Sequence, residues 1–505
     1  MDLAAATITW IIVAIIVWAT WTQMKNPYYY GIGKLSAIAA FAVSISAGIM
    51  TGVRRWKVAI GLAIITTISA TIIGTGAGRP AVLAWSCFPE FEAQHRFLGG
   101  QAICYPFISR FPERYTVLLL WWGATYLATV LVWDYVFKRT GNKIAAWAGS
   151  VMLLVPPTIL GTASLEMVPF AVLSVIAAMH YEGVSQIMRY LALGGAGYFR
   201  PVFAVFAPVV DLFTRDIQTH RPTNFGAIIF GIAAGIEFGA FLTYTFTFHD
   251  PTIINQPTLL HQMVSNIASN THKLFTNTDI LSKPAQGFFL AAFVIAMTDM
   301  IRKRTLSREL LLGFAIFFAY FVFHPDGPLK WSTYAPAAAA LVAIGLATNS
   351  KNGKIAIVKA TAATIVGILL IPNISSAIHS QAYGNITQNS NQIAKLVKKY
   401  KCSPVVADIL ARVPGPPTRK YDSEILDAAM YYNISAANYR VVWIRNEKYF
   451  AFYTEDIPKN QLPSGRCYAV AFPVNNTEVN KILKKGYKII GYDWGKPVVG
   501  GIIWT

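Results

Sequence analysis

The sequence predicts a mostly α-helical, polytopic membrane protein of about 11–13 membrane segments, with a C-terminal extracytoplasmic α/β domain. Three observations predict it. Only 13% of the 505 residues are charged, against about 25% in an average soluble chain. Apolar runs near the bilayer-crossing length of about 20 residues recur through residue 372. Beyond that point the long runs stop and short alternating elements begin. The chain therefore divides into a multi-span domain over 1–372 and a second domain over 373–505.

Taken in order, spans are expected at 3–21, 35–53, 58–77, 115–137, 144–160 and 167–179. The first has no basic flank and no cleavage site, so it reads as a retained span rather than a signal peptide. A glycine-rich pair of short segments, 187–199 and 202–213, is broken at Arg200-Pro201. Spans then follow at 225–246, 286–301, 310–323, 334–348 and 355–371. Pro156-Pro157 and Arg200-Pro201 should end or kink helices, because proline removes a backbone donor.

Basic residues set the orientation through the positive-inside bias. Four clusters alternate with the spans: Arg54, Arg55 and Lys57; Lys138, Arg139 and Lys143; Arg302, Lys303, Arg304 and Arg308; Lys351, Lys354 and Lys359. With the broken pair counted as a hairpin, all four fall on one side, together with Arg215 and Arg221. That side is cytoplasmic and holds the amino terminus. The loops 78–114 and 249–285, the HPDGPLKWSTY turn and the tail after 371 are expected outside. The formal charge of +19 follows from this topology and implies no nucleic-acid partner.

The cysteines agree with the assignment. Cys87 and Cys104 lie in the first outer loop, and Cys402 and Cys467 lie in the tail. Two disulfides, one in each region, are expected in an oxidising compartment. Asn-x-Ser/Thr sequons at Asn373, Asn385, Asn433 and Asn475 are likewise confined to the tail. The tail reads as helices at 392–400, 423–432 and 477–485, the last stopped at Gly486. Strands are expected at 404–408, 440–444, 449–453, 467–474, 487–494 and 498–504. No nucleotide-binding glycine motif occurs in it, so it reads as a partner-docking or acceptor-guiding module.

The outer loop 78–114 gathers the most chemistry. Glu90 and Glu92 stand one residue apart among Trp85, Phe88, Phe91, Phe97, Tyr105 and Phe107. A carboxylate beside apolar surface is partly desolvated, which raises its proton affinity and suits it to act as a base towards a hydroxyl. Aromatic rings there suit a sugar or an isoprenoid chain. Glu166, beginning the next outer helix in SLEMVPF, is a second acidic site that can orient an acceptor, or hold a divalent metal (Mg or Mn) with the first. Lys330, beside Trp331 and Tyr334 at the lipid boundary, suits a lipid phosphate. Arg200 in GGAGYFRPVF, His95 and Arg96 are further candidates for that phosphate. Glu237 is an intramembrane acid, a residue type that marks function. No HExxH, CxxC, P-loop or dinucleotide motif occurs, so ATP hydrolysis and zinc proteolysis have no support.

In order and spacing, these features resemble the polytopic glycosyltransferases of the C-type fold, which use polyprenyl- or dolichyl-phosphate sugars. The resemblance covers roughly residues 58 to 350. It rests on the Glu-x-Glu loop, on LLVPPTILGTASLEMVPF followed by LALGGAGYFRPVFAVFAPVV, and on the late outer turn HPDGPLKWSTYAPAAAALVAIG. The chain departs from that pattern in having two extra leading spans and no oligosaccharyltransferase signature. The resemblance implies a lipid-linked sugar donor, a glycan, lipid or protein acceptor, and Glu90 or Glu92 as the base. A transporter or flippase working through Glu237 and Arg200, and a scaffold displaying the tail, are the other functions the sequence admits.

Overall fold

The computed structural model describes residues 8–16, 27–74, 113–155, 168–181, 259–276, 282–303, 309–314, 331–350 and 352–369, a few short stretches beside them, and six strand segments between 405 and 504. The chain divides into two compact units. One comprises Met1–Thr75, Arg96–Ile103 and Leu120–Ala377; the other comprises Gly76–His95, Cys104–Leu119 and Ile378–Thr505. The described part is mostly helical.

Among the described residues the helices of ten or more residues are α1 (Pro27–Arg54), α2 (Trp56–Gly74), α3 (Glu113–Thr140), α4 (Lys143–Met152), α5 (Val168–His180), α6 (Leu259–Thr276), α7 (Ser282–Lys303), α8 (Trp331–Thr348) and α9 (Gly353–Leu369). Their ends follow local chemistry. The chain leaves α3 through Gly141, whose φ of 66° lies in the left-handed region that side chains avoid. Asn142 then caps α4, its Oδ1 accepting from the N–H groups of Ile144 at 2.9 Å and Ala145 at 3.2 Å. Asn352 does the same for α9, accepting from Lys354 N–H at 2.9 Å. Both asparagines satisfy donors that the first helical turn leaves without partners.

Two elements differ from the sequence expectation. Within the expected span 144–160, the helix ends at Met152, with a turn at Leu153 and Leu154, and 156–160 lie outside the described residues. Pro156 disfavours helical geometry at Val155 and offers no donor to extend the helix. In addition, α6 occupies part of the expected outer loop 249–285. Its apolar positions (Leu260, Met263, Val264, Ile267, Leu274) recur at helical spacing.

The buried interior mixes large apolar side chains such as Leu131, Phe170, Phe288 and Ile344 with small and polar ones, while many further large apolar side chains stay exposed. Ala40, Ala47, Ala124, Ala128, Ala145, Ala343, Ala347 and Ala363 are buried, as are Ser44, Thr66, Thr129, Ser150 and Ser174. Met50, Val53, Ile64, Val294, Ile301, Val358 and Leu369 are exposed, Ile301 to 78%. Helix α8 packs against α4, α5, α7 and α9. The approach is close enough that a methyl group on Gly345 would come within 2.6 Å of Leu310 N. Buried hydroxyls bridge helices: Ser44 Oγ donates to Ser174 Oγ at 3.3 Å between α1 and α5, and Ser150 Oγ donates to Thr129 O at 3.1 Å between α4 and α3. Among the described residues no single helix is long and apolar enough to cross a membrane alone. One bent pair, Ile38–Arg54 with Trp56–Ser69 at 116°, meets the length and composition together.

In the second unit the strands are β1 (Val405–Asp408), β2 (Arg440–Arg445), β3 (Lys448–Ala451), β4 (Cys467–Pro473), β5 (Lys488–Ile489) and β6 (Val498–Trp504). They form one mixed sheet in the order β3-β2-β1-β4-β6-β5. Central β1 runs parallel to β2 and β4, whereas β2–β3, β4–β6 and β5–β6 are antiparallel. A parallel pair needs a crossover of a dozen residues or so, and the stretch 409–439 between β1 and β2 is long enough to supply one. The expected tail helices 392–400, 423–432 and 477–485 lie outside the described residues, so the helical half of the α/β expectation stays an expectation.

Candidate functional site

Most residues that the sequence singles out lie outside the described residues: Glu90, Glu92, Cys87, Cys104, His95, Arg96, Glu166, Arg200, Glu237, Lys330 and Cys402. This includes the three glutamates considered for a divalent metal. Cys467 opens β4, where it is in register with Trp504, and its side chain is likewise outside. Among the described residues no group of three His, Cys, Asp or Glu could hold a metal ion.

The helical unit instead assembles a site that local sequence patterns do not single out. Asp134 lies in the last two turns of α3 and its side chain is fully buried. Three cations converge on it. Arg54 Nη2 donates to Oδ1 at 3.2 Å and Arg55 Nε donates to the same oxygen at 3.4 Å. Lys138 Nζ, one turn further along α3, lies 2.7 Å from Oδ2. A lone buried carboxylate would cost several kcal/mol or more, so these partners are what permit the charge.

The cation heads are not buried to the same degree: the side chains of Arg54, Lys138 and Arg55 are 59%, 41% and 31% exposed. The guanidinium of Arg55 also lies over two rings of α3, 5.6 Å from Trp133 and 5.1 Å from Phe137. His180, one residue beyond the expected span 167–179, places Nδ1 3.7 Å from Asp134 Oδ2. Burial, reinforced by Lys138, pulls its proton affinity down to about 4 against the opposing influence of Asp134. The imidazole is therefore neutral at pH 7, and its approach to Asp134 is a dipolar contact rather than an ion pair.

Two more buried acids continue the pattern. Glu309 accepts from Tyr135 OH at 2.6 Å and lies 3.7 Å from Arg139 Nη2. Asp299, near the end of α7, pairs with Lys359 of α9 and accepts from Asn349 Nδ2 at 3.0 Å. Residues of the first, second and fourth basic clusters are thus paired with buried acids near helix ends of this unit, while Arg304, Arg308 and Lys351 lie outside the described residues. Near these pairs α1, α3, α5, α7 and α8 end, and α2, α4 and α9 begin. The chemistry is that of charge pairing at helix termini, with cations in excess of acids around Asp134.

The chain matches no protein-family model, no curated protein and no solved structure. Its own geometry therefore carries the reading.

The signal for Asp134 is present in the sequence. Asp134 and Asp299 are single acids inside apolar runs, the same criterion that singles out Glu237. Apart from Lys138, one helical turn from Asp134, their partners lie 46 to 80 positions away, beyond the reach of local pattern.

Proposed function

We propose that the chain is an integral membrane glycosyltransferase. It moves a sugar from a polyprenyl- or dolichyl-phosphate carrier to an acceptor hydroxyl on the extracytoplasmic face. The observation that carries the membrane part is a helical unit that leaves many large apolar side chains exposed while basic residues of the first, second and fourth clusters pair with buried acids near helix ends. In water that arrangement would expose a large apolar surface at a heavy cost. In lipid it is the expected one, with small residues at the helix contacts and cations on the cytoplasmic side. The amino terminus is then cytoplasmic, in a cell or endoplasmic-reticulum membrane.

Helix direction supports the rest. The helix α2 runs away from the first basic cluster, and α8 runs towards the fourth. In chain order, the loop with Glu90 and Glu92 therefore follows α2, and Lys330 immediately precedes α8. Glu90 or Glu92 removes the acceptor proton, and the resulting oxygen forms a bond to the anomeric carbon. The bond from that carbon to the carrier phosphate breaks, and the phosphate keeps the electron pair. Lys330 and Arg200, with His95 and Arg96, neutralise the charge that develops on the departing phosphate. Glu166 orients the acceptor, and the C-terminal domain guides it.

The test is reconstitution of the full chain with polyprenyl-phosphate sugars. The double variant E90Q/E92Q should abolish transfer while its elution profile and unfolding temperature stay those of the parent. Undiminished transfer by that variant would overturn the assignment of the base. Recovery of the chain in the aqueous fraction without detergent would overturn the membrane reading itself.

A further inference from the structure

We propose that the Arg54-Arg55-Lys138 patch around Asp134 is a binding site for the phosphate headgroup of an anionic phospholipid in the cytoplasmic leaflet. The inference rests on the membrane reading above and is independent of the transferase reaction. Three cations face one carboxylate, so the patch keeps two positive charges after internal pairing. Asp134 restrains the cations, which lowers the entropy they lose on gripping a ligand. It leaves most of their donors available. Of the five N–H donors that a guanidinium carries, Arg54 directs one to Asp134 through Nη2 and Arg55 directs its Nε–H.

The surroundings match a lipid rather than a small soluble anion. Immediately beside the cations, Met50, Val53 and Trp56 are 70%, 73% and 58% exposed. Trp56 also lies against the ammonium of Lys57, 5.4 Å from its ring centroid. A cationic head group site bordered by exposed aliphatic and indole surface matches a phospholipid in both of its parts. The phosphate meets the guanidinium and ammonium donors, and the upper acyl chain lies along α1.

Native mass spectrometry of the detergent-purified full chain, titrated with phosphatidylglycerol or phosphatidylcholine, tests this. Wild type should retain phosphatidylglycerol in preference to phosphatidylcholine, and millimolar inorganic phosphate should leave it bound. Arg54→Gln should weaken that retention about fivefold, the effect of one surface cation, whereas Arg54→Lys should keep most of it. Lys138→Gln should weaken it similarly. If Lys138→Gln fails to fold because its ammonium neutralises a buried carboxylate, the largely exposed Arg54 decides alone. Equal retention of the two lipids, or an Arg54→Gln variant indistinguishable from wild type, would overturn the proposal. Displacement by inorganic phosphate would also overturn it, in favour of a soluble anion. None of these results bears on sugar transfer, and loss of transfer in E90Q/E92Q would leave them unchanged.

Discussion

Replacing Asp134 with asparagine should destabilise the helical unit far more than removing the largely exposed Arg54. Asp134 is fully buried and meets three cations at 2.7–3.4 Å. Charge-assisted hydrogen bonds of this kind contribute about 1.5–3 kcal/mol each when buried, but exposed partners retain much of their hydration and contribute less. With Arg54 59% exposed, Lys138 41% and Arg55 31%, the discounted total for Asp134→Asn is about 2–4 kcal/mol. Arg54→Gln should cost less than about 1 kcal/mol, because two cations still neutralise the carboxylate. Denaturant titration of the detergent-solubilised chain, followed by tryptophan fluorescence, measures both. The reasoning fails if Arg54→Gln costs as much as Asp134→Asn, or if Asp134→Asn costs nothing. The first result would mean that Arg54 alone supports the carboxylate; the second, that the site is a solvated cluster.

Four other outcomes are expected. E90Q or E92Q, whichever removes the base, should lower sugar transfer by about 100- to 10,000-fold, measured by initial rates with lipid-linked donor. Gly345→Ala should destabilise by about 1–3 kcal/mol, since its methyl would meet the Leu310 backbone nitrogen at 2.6 Å; the unfolding midpoint reports it. Asn142→Ala should cost about 1 kcal/mol through loss of the bonds to Ile144 and Ala145. For His180, the folded state resists a proton down to about 4, whereas the unfolded chain takes one up near 6.5. Its contribution is therefore full above pH 6.5 and falls away as the pH drops towards 4, by at most about 3 kcal/mol. A His180→Gln variant should show a flatter loss of stability over that window.

What the sequence made readable was local. The Thr140-Gly141-Asn142 turn announces itself, because glycine permits the left-handed step and asparagine caps the helix that begins at Lys143. The hairpin of β2 and β3 is similarly marked by short apolar and aromatic runs, 441–444 and 449–453, on either side of Asn446-Glu447. Helix α6 escapes a search for spans because polar residues interrupt its apolar stripe, which keeps its mean hydropathy below that of a membrane segment. The parallel placement of β1 between β2 and β4 depends on contacts between remote segments, and no local pattern encodes it. The same holds for Asp134, whose meaning comes from Arg54 and Arg55 about 80 positions earlier. The loop that holds Glu90 and Glu92 draws its reading from residue order alone.

The alanine-lined contacts of α8 have a consequence for how this protein tolerates change. In a water-soluble domain, trimming interior side chains does the damage and the surface forgives nearly anything apart from added grease. Here trimming Leu341 or Ile344 should still do damage, but enlarging the small interior residues should do as much. Enlarging Ala343 or Ala347 to leucine would drive neighbouring helices apart, while swapping Val294, Ile301 or Val358 among aliphatic residues would pass almost unnoticed. A lysine at those same outward positions would be among the most damaging substitutions in the chain.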